Sequence, residues 1–160
     1  STYLSTQVRR ADIVIDASDN FDTRFELNTT CVNEKTPLVS GAVIRFAGQV
    51  CVFRNDLHPG PCYRCLYPEL EHENNQDESC RHAGILAPVA GIIGTIVATE
   101  VLKLLLDIGD INDSYLLKLN TLRMSWQKTP LVKDPKCPVC STSMADNRHT
   151  HDGMHAISVI

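Results

Sequence analysis

"ADIVIDASDNFDTRFELNTTCVNE", residues 11–34, decides the fold. It opens with a short apolar run, Ile13 to Ile15, ended by Asp, Ser and Asn, as expected where a buried parallel strand meets a loop. The remainder sets Phe21, Phe25 and Val32 on one helical face, with Ser18 or Asp19 available to cap its start. Asn28 falls seven residues after Phe21 on that apolar face, so it must find a hydrogen-bond partner if buried.

Before this stretch, residues 1–10 read as helix, with Leu4 and Val8 on one side. After it, "TPLVSGAV" supplies a second buried strand. "FAGQVCVF" supplies a third, with Val50 and Val52 on one face and Cys51 and Phe53 on the other. Strand, helix, strand is the unit of an α/β sheet, and ligands of such sheets bind beyond the carboxyl ends of the strands. The loop from Asp16 to Asn20 is therefore the candidate site.

From "HPGPCYRC" through "YPELEHENNQDESCRH" the chain is polar and without periodicity, which predicts a long surface loop. Pro88 then opens a helix to about Leu106, with Gly109 placed to end it. Ala87, Gly91 and Thr95, and beside them Ala90, Gly94 and Ala98, form two rows of small residues that admit close helix packing. "SYLLKLN" and "SWQKTPLV" are predicted strands of a small antiparallel addition.

Hydrophobic residues make up 43% of the 160 positions and charged residues 21%, the balance of a folded globular domain. The formal charge of −4 and the scattered Lys and Arg leave no basic field for a nucleic acid. The longest apolar run, Gly84 to Ala98, falls short of the roughly 18 to 20 residues of a membrane span. Seven cysteines, four in C-x-x-C pairs, suit a reducing, cytoplasmic compartment better than a disulfide framework. The first ten residues are polar and lack an initiator Met, so the chain is expected to be part of a longer protein.

"CYRC", Cys62 to Cys65, and "CPVC", Cys137 to Cys140, together offer the four sulfurs of a closed tetrahedral zinc site that staples distant segments. Two separate thioredoxin-like redox pairs are the alternative; one tightly bound zinc with four unreactive cysteines would dismiss it. Asp19 could hold Mg2+ against a nucleotide phosphate or cap the helix, and Arg24 could bind an anion or be a surface charge. Cys31 and Cys51 read as small buried hydrophobes. Cys80, beside Arg81 and His82, has neighbours that can lower a thiol pKa. "HTHDGMH", with His149, His151 and His155, matches no standard ligand spacing and reads as a solvated tail. Neither G-x-G-x-x-G nor G-x-x-x-x-G-K-[ST] occurs, so there is no evident phosphate-cradling loop.

"DIVIDASDNFDTRFELN", "PLVSGAVIRFAGQVCVF", "GPCYRCLYPE", "SCRHAGILAPVAGIIGTIVATEVLKLL" and "DPKCPVC" together resemble the ThiF/MoeB/HesA family of ubiquitin-activating-type adenylyltransferases over residues 11–141. The resemblance implies a doubly wound, Rossmann-like α/β adenylation domain. Its C-terminal part would occupy residues 1–141 here, with 142–160 a tail or linker. It implies a homodimer that binds ATP and adenylates the C-terminal Gly-Gly carboxylate of a ubiquitin-like sulfur-carrier protein. Asp19 matches the family's Mg-ATP aspartate, with Asn20 and Arg24 completing the motif. Cys62, Cys65, Cys137 and Cys140 match its structural zinc ligands, and Cys80 matches the cysteine that joins covalently to the carrier. A cysteine desulfurase or another sulfur donor is the further partner implied, and Glu69 to Ser79 would be a crossover loop over the carrier's tail.

The family's arginine-bearing arm and glycine-rich nucleotide loop are not among these residues, so the chain is not expected to adenylate by itself; ATP–pyrophosphate exchange by it would overturn that expectation. A zinc-stapled binding module without catalysis is the rival reading, and tight ATP binding separates the two. "SCRHAGI" and "MSWQKTPLVKDPKCPVC" look nearer the thiamin (ThiF) branch than the molybdopterin (MoeB) branch.

Overall fold

The computed structural model describes residues 2–57, 60–68, 84–113, 115–141 and 157–159. The order is α1 (Thr2–Arg10), β1 (Ile13–Asp16), α2 (Phe21–Glu34), β2 (Leu38–Ile44), β3 (Ala47–Phe53), α3 (Tyr63–Leu66), α4 (Ala87–Leu106), β4 (Tyr115–Asn120), β5 (Ser125–Pro130) and β6 (Ile157–Val159). The strands form a single mixed sheet in the order β5-β4-β3-β2-β1-β6. β1 runs parallel to β2 and β6, whereas β2, β3, β4 and β5 pair antiparallel in turn. Thus β4 and β5, expected as a small addition, continue the main sheet. Three residues of the expected tail supply its far edge.

Helices pack on both faces of the central strands, whose side chains alternate between the two faces, whereas β5 stays largely exposed. Cys51 and Phe53 pack with Val8 of α1 and with Leu27 and Cys31 of α2. Val50 and Val52 pack with Val89, Ile93, Val97 and Val101 of α4. The result is a three-layer α/β/α arrangement with the apolar run of β1 in its interior.

Two helix ends differ from the sequence expectation. Asn20, not Ser18 or Asp19, caps α2: its Oδ1 accepts from the Thr23 N–H at 2.8 Å. Ser18 is committed elsewhere, donating its N–H and hydroxyl to Asp16 Oδ1 at 3.0 and 2.6 Å, so the loop closes on the strand before the helix begins. At the other end of the chain, Asp107 and not Gly109 takes the first left-handed position after α4, at φ 51°, with its N–H on the Lys103 carbonyl. Asp tolerates this conformation better than most side chains do.

The expected surface loop also holds structure. "CYRC" winds into α3, and Tyr63 and Arg64 are buried there. Glu69 to Ser79, Cys80, His149, His151 and His155 lie outside the described residues.

α4 exceeds the apolar run read from sequence: its 20 residues are long and apolar enough, by length and composition alone, to cross a membrane. Within it Thr95 and Thr99 fold their hydroxyls back onto the carbonyls of Gly91 and Thr95, at 2.8 and 2.9 Å. One stripe of it lies on the sheet, and two glycines make that approach possible. A Cβ on Gly48 would stand 2.3 Å from Ile93 Cγ1, and one on Gly41 would stand 2.8 Å from Val97 Cγ2. Gly48→Ala should therefore destabilise the fold by about 1–3 kcal/mol through overpacking. A melting curve reads this as about 2–4 °C lost per kcal/mol. Gly91→Ala, where an added Cβ meets nothing within 4 Å, should leave Tm unchanged or raise it.

Candidate functional site

β1 ends on a buried carboxylate. Asp16 is 1% exposed, yet it is well held, accepting from the N–H and hydroxyl of Ser18 and, at 2.8 Å on Oδ2, from Ser40 Oγ of β2. The parallel register that sets Asp16 opposite Ser40 makes this contact. Asp16 thereby closes the loop, and the loop presents the next acid to solvent. Asp19 is exposed, and its Oδ1 accepts from Asn20 Nδ2 at 3.2 Å. Asn20 therefore serves twice, capping α2 through oxygen and tethering Asp19 through nitrogen.

One turn into α2, Arg24 is buried. Its Nη2 donates to the Ser18 and Gly41 carbonyls, the latter at 3.5 Å, and its Nη1 stands 4.0 Å from Asp16 Oδ2. Burial works against its charge, but the Tyr63 hydroxyl and the Asp16 carboxylate outweigh it, and the guanidinium's pKa is raised. Of the two sequence readings of Arg24, the surface charge is excluded by this burial. Asp19, Asn20 and Arg24 line one open cavity of about 1310 Å³, together with Gln49 of β3, Lys118 of β4 and Gln127 of β5.

An aromatic cluster, of which Phe21, Tyr63 and Tyr67 line this cavity, escaped the sequence reading. Phe21 and Phe25 of α2 meet Tyr67 and Tyr63, with ring centroids 5.8 and 5.7 Å apart, and Tyr63 and Tyr67 lie 5.1 Å apart. Gln49 holds the Tyr67 hydroxyl, donating from Nε2 at 2.7 Å. Two pairs of aromatics at i, i+4 spacing, in "FDTRF" and "YRCLY", were the available signal. The polarity of the residues after Tyr67 hid it.

The two C-x-x-C turns do converge. The Sγ atoms of Cys62, Cys65, Cys137 and Cys140 all lie within 4.8 Å of one another. Cys62 faces Cys137 at 3.7 Å and Cys65 faces Cys140 at 3.4 Å. A tetrahedral ion with metal–sulfur bonds of about 2.3 Å needs sulfurs about 3.8 Å apart, so the donor set and its spacing fit such an ion. Within the cluster Cys65 is held well below the ordinary thiol range by the hydrogen bond from the Cys62 thiol and then by backbone N–H groups, including that of Asp134, whereas the bond to Cys65 pushes Cys62 up and burial pushes Cys140 up. Burial pushes the Cys31 and Cys51 thiols up as well, each to about 12, which matches their reading as core residues.

A mixed sheet with helices on both faces, an acid-bearing loop at the end of its parallel strand and a four-sulfur staple define a Rossmann-like α/β domain. The profile of the ThiF family matches residues 2–139, and the chain belongs to that family. It is 40% identical over 152 residues to the SAMP-activating enzyme E1 of Haloferax volcanii, covering 95% of this chain and 55% of that protein. It is 42% identical over 136 residues to the sulfur carrier protein adenylyltransferase of Thermus thermophilus, covering 83% and 50%. To the sulfur carrier protein ThiS adenylyltransferase of Escherichia coli it is 38% identical over 143 residues, covering 89% and 55%. The chain thus spans about half the length of these curated relatives. Among solved structures, E. coli MccB shares the fold, with a TM-score of 0.67 at 17% identity over 86% of this chain and 44% of that one.

Proposed function

We propose that this chain is the portion of a sulfur-carrier adenylyltransferase that supplies the Asp19 loop, the Arg24 cation and a structural zinc site. The observation that carries the reading is the meeting of Asp19, Asn20 and Arg24 on one cavity wall in a ThiF-family chain. In the parent protein, the C-terminal Gly-Gly carboxylate of the carrier attacks the α-phosphate of ATP, an acyl adenylate forms and pyrophosphate leaves. Asp19 would hold a Mg2+ ion, which supplies charge neutralisation at the phosphates. Asn20 keeps the Asp19 carboxylate in place, and Arg24, fixed by two backbone carbonyls, adds a cation that needs no reorganisation as charge develops. The four sulfurs would hold zinc, tying the segment after β3 to the segment after β5.

Cys80 would then attack the acyl adenylate, its sulfur bonding to the acyl carbon as AMP leaves, or the terminal sulfur of a persulfide from a sulfur donor such as a cysteine desulfurase would bond to that carbon with the same loss of AMP. The thiamin and molybdopterin branches share this activation; the "SCRHAGI" segment supports the thiamin one. A second copy of the chain is the proposed partner of α4, whose Gly91 and Gly94 face open space. A cytoplasmic location accompanies this reading.

Mass spectrometry tests the covalent step. The parent protein, incubated with ATP and a ubiquitin-like carrier, should give carrier adenylate plus an adduct on the peptide containing Cys80. Adenylate with no adduct, even when a sulfur donor is added, would remove the role of Cys80 and leave the activation intact.

A further inference from the structure

The metal-fit cluster and the cavity are two ends of one short connection through α2. Asn28, fully buried, lies one turn after Arg24 on the same helix. Its Oδ1 accepts from the Tyr63 N–H at 2.8 Å, and its Nδ2 donates to Cys62 Sγ at 3.6 Å. This answers the question its apolar position raised, since both ends of the amide are spent on the C-x-x-C turn. That turn in its place sets Tyr63, whose ring packs on Phe25, Phe53 and Tyr67. The Tyr63 hydroxyl is buried and makes no hydrogen bond of ordinary geometry among the described residues, although the charge of Arg24 acts on it. A buried hydroxyl left in that position costs about 1–3 kcal/mol, so its placement is enforced by its surroundings.

We propose that Asn28 is a positioning residue that couples the four-sulfur centre to the cavity, orienting Cys62 through its Nδ2–H and, through its Oδ1 and Tyr63, fixing the surroundings of Arg24. An N–H donated to a thiolate offsets part of its charge, and such outer contacts to a metal centre typically carry about 10- to 100-fold in metal affinity. Loss of metal would release Cys62, then Tyr63, and then the wall against which Arg24 is held. The inference rests on the metal reading of the cluster and is independent of whether the parent adenylates a carrier.

The test uses the 160-residue chain. Asn28→Asp keeps an oxygen for the Tyr63 N–H but removes the donor to sulfur, so competition with a chelator should show about 10- to 100-fold weaker zinc binding. The sulfur-to-metal charge-transfer bands of the cobalt-loaded chain should shift with it. Tyr63→Phe should retain zinc like the unaltered chain. It should nevertheless change the Arg24 Nε–H resonance in NMR, assigned by its loss in Arg24→Lys, and removing zinc from the unaltered chain should move the same resonance. Zinc affinity of Asn28→Asp within twofold of the unaltered chain would overturn the sulfur contact. If that variant does not fold, an Arg24 resonance indifferent to zinc removal in the unaltered chain would still overturn the coupling.

Discussion

Cys137→Ser is expected to cost the chain its metal and a large part of its stability together. Cys137 is 1% exposed and packs in a small cluster with Cys62, Cys140 and Val32, so the proposed metal would tie the segment after β5 to this cluster, beside the packing of Leu131 on the core that includes Leu27. Metal binding at a closed sulfur site is folding free energy, of order 10 kcal/mol or more in small zinc peptides. Three sulfurs and a hydroxyl should forfeit at least about 3 kcal/mol of it. At about 2–4 °C per kcal/mol for a chain of this size, Tm should fall by about 6–12 °C. Bound zinc, measured by metal analysis after gel filtration, should drop from one per chain to well below one. Cys51→Ser is the comparison: it alters a buried thiol of the core, so zinc should stay at one per chain whatever happens to Tm. Equal zinc in the Cys137 variant and the unaltered chain would remove the staple from this account.

Asp19→Ala should abolish most of the activation proposed for the parent while leaving the fold alone. Asp19 is exposed and its side chain accepts a hydrogen bond only from its neighbour Asn20 among the contacts described, so its removal disturbs no core packing. Loss of a group that stabilises transition-state charge typically lowers kcat by about 100- to 1000-fold. Tm should move by less than about 0.5 kcal/mol equivalent, as for other surface substitutions. Arg24→Ala is a poorer probe, because stripping one partner from a buried charge pair costs about 3–5 kcal/mol and would confuse folding with chemistry. Asn20→Ala should fall between them, losing the α2 cap, worth about 1 kcal/mol, along with the tether on Asp19.

The parts of this molecule legible in its sequence are those governed by local pattern. The apolar run of β1, the alternation of Cys51 and Phe53 against Val50 and Val52, and the spacing of the four cysteines each follow from one physical rule, and each stands in the structure. What escaped depends on tertiary placement. Nothing local says that Ser18 will be consumed by Asp16, and so Asn20 rather than Ser18 caps α2. Tyr63 lies in a segment whose polarity reads as loop, and its burial against Phe25, Phe53 and Tyr67 depends on tertiary packing. Asn28 shows the boundary well: its need for a partner could be read from its position on an apolar face, but the partners, a backbone N–H and a sulfur 35 and 34 residues away, could not.

The proposed role of the Asp19 loop is carboxylate activation in a sulfur-carrier adenylyltransferase. Carrier-dependent exchange of labelled pyrophosphate into ATP measures it most directly, with the parent protein and its Asp19→Ala variant compared at equal zinc content. Exchange should require a carrier ending in Gly-Gly and fall about 100-fold or more in the variant. Exchange that is undiminished by loss of Asp19, or absent with every Gly-Gly carrier, would contradict it.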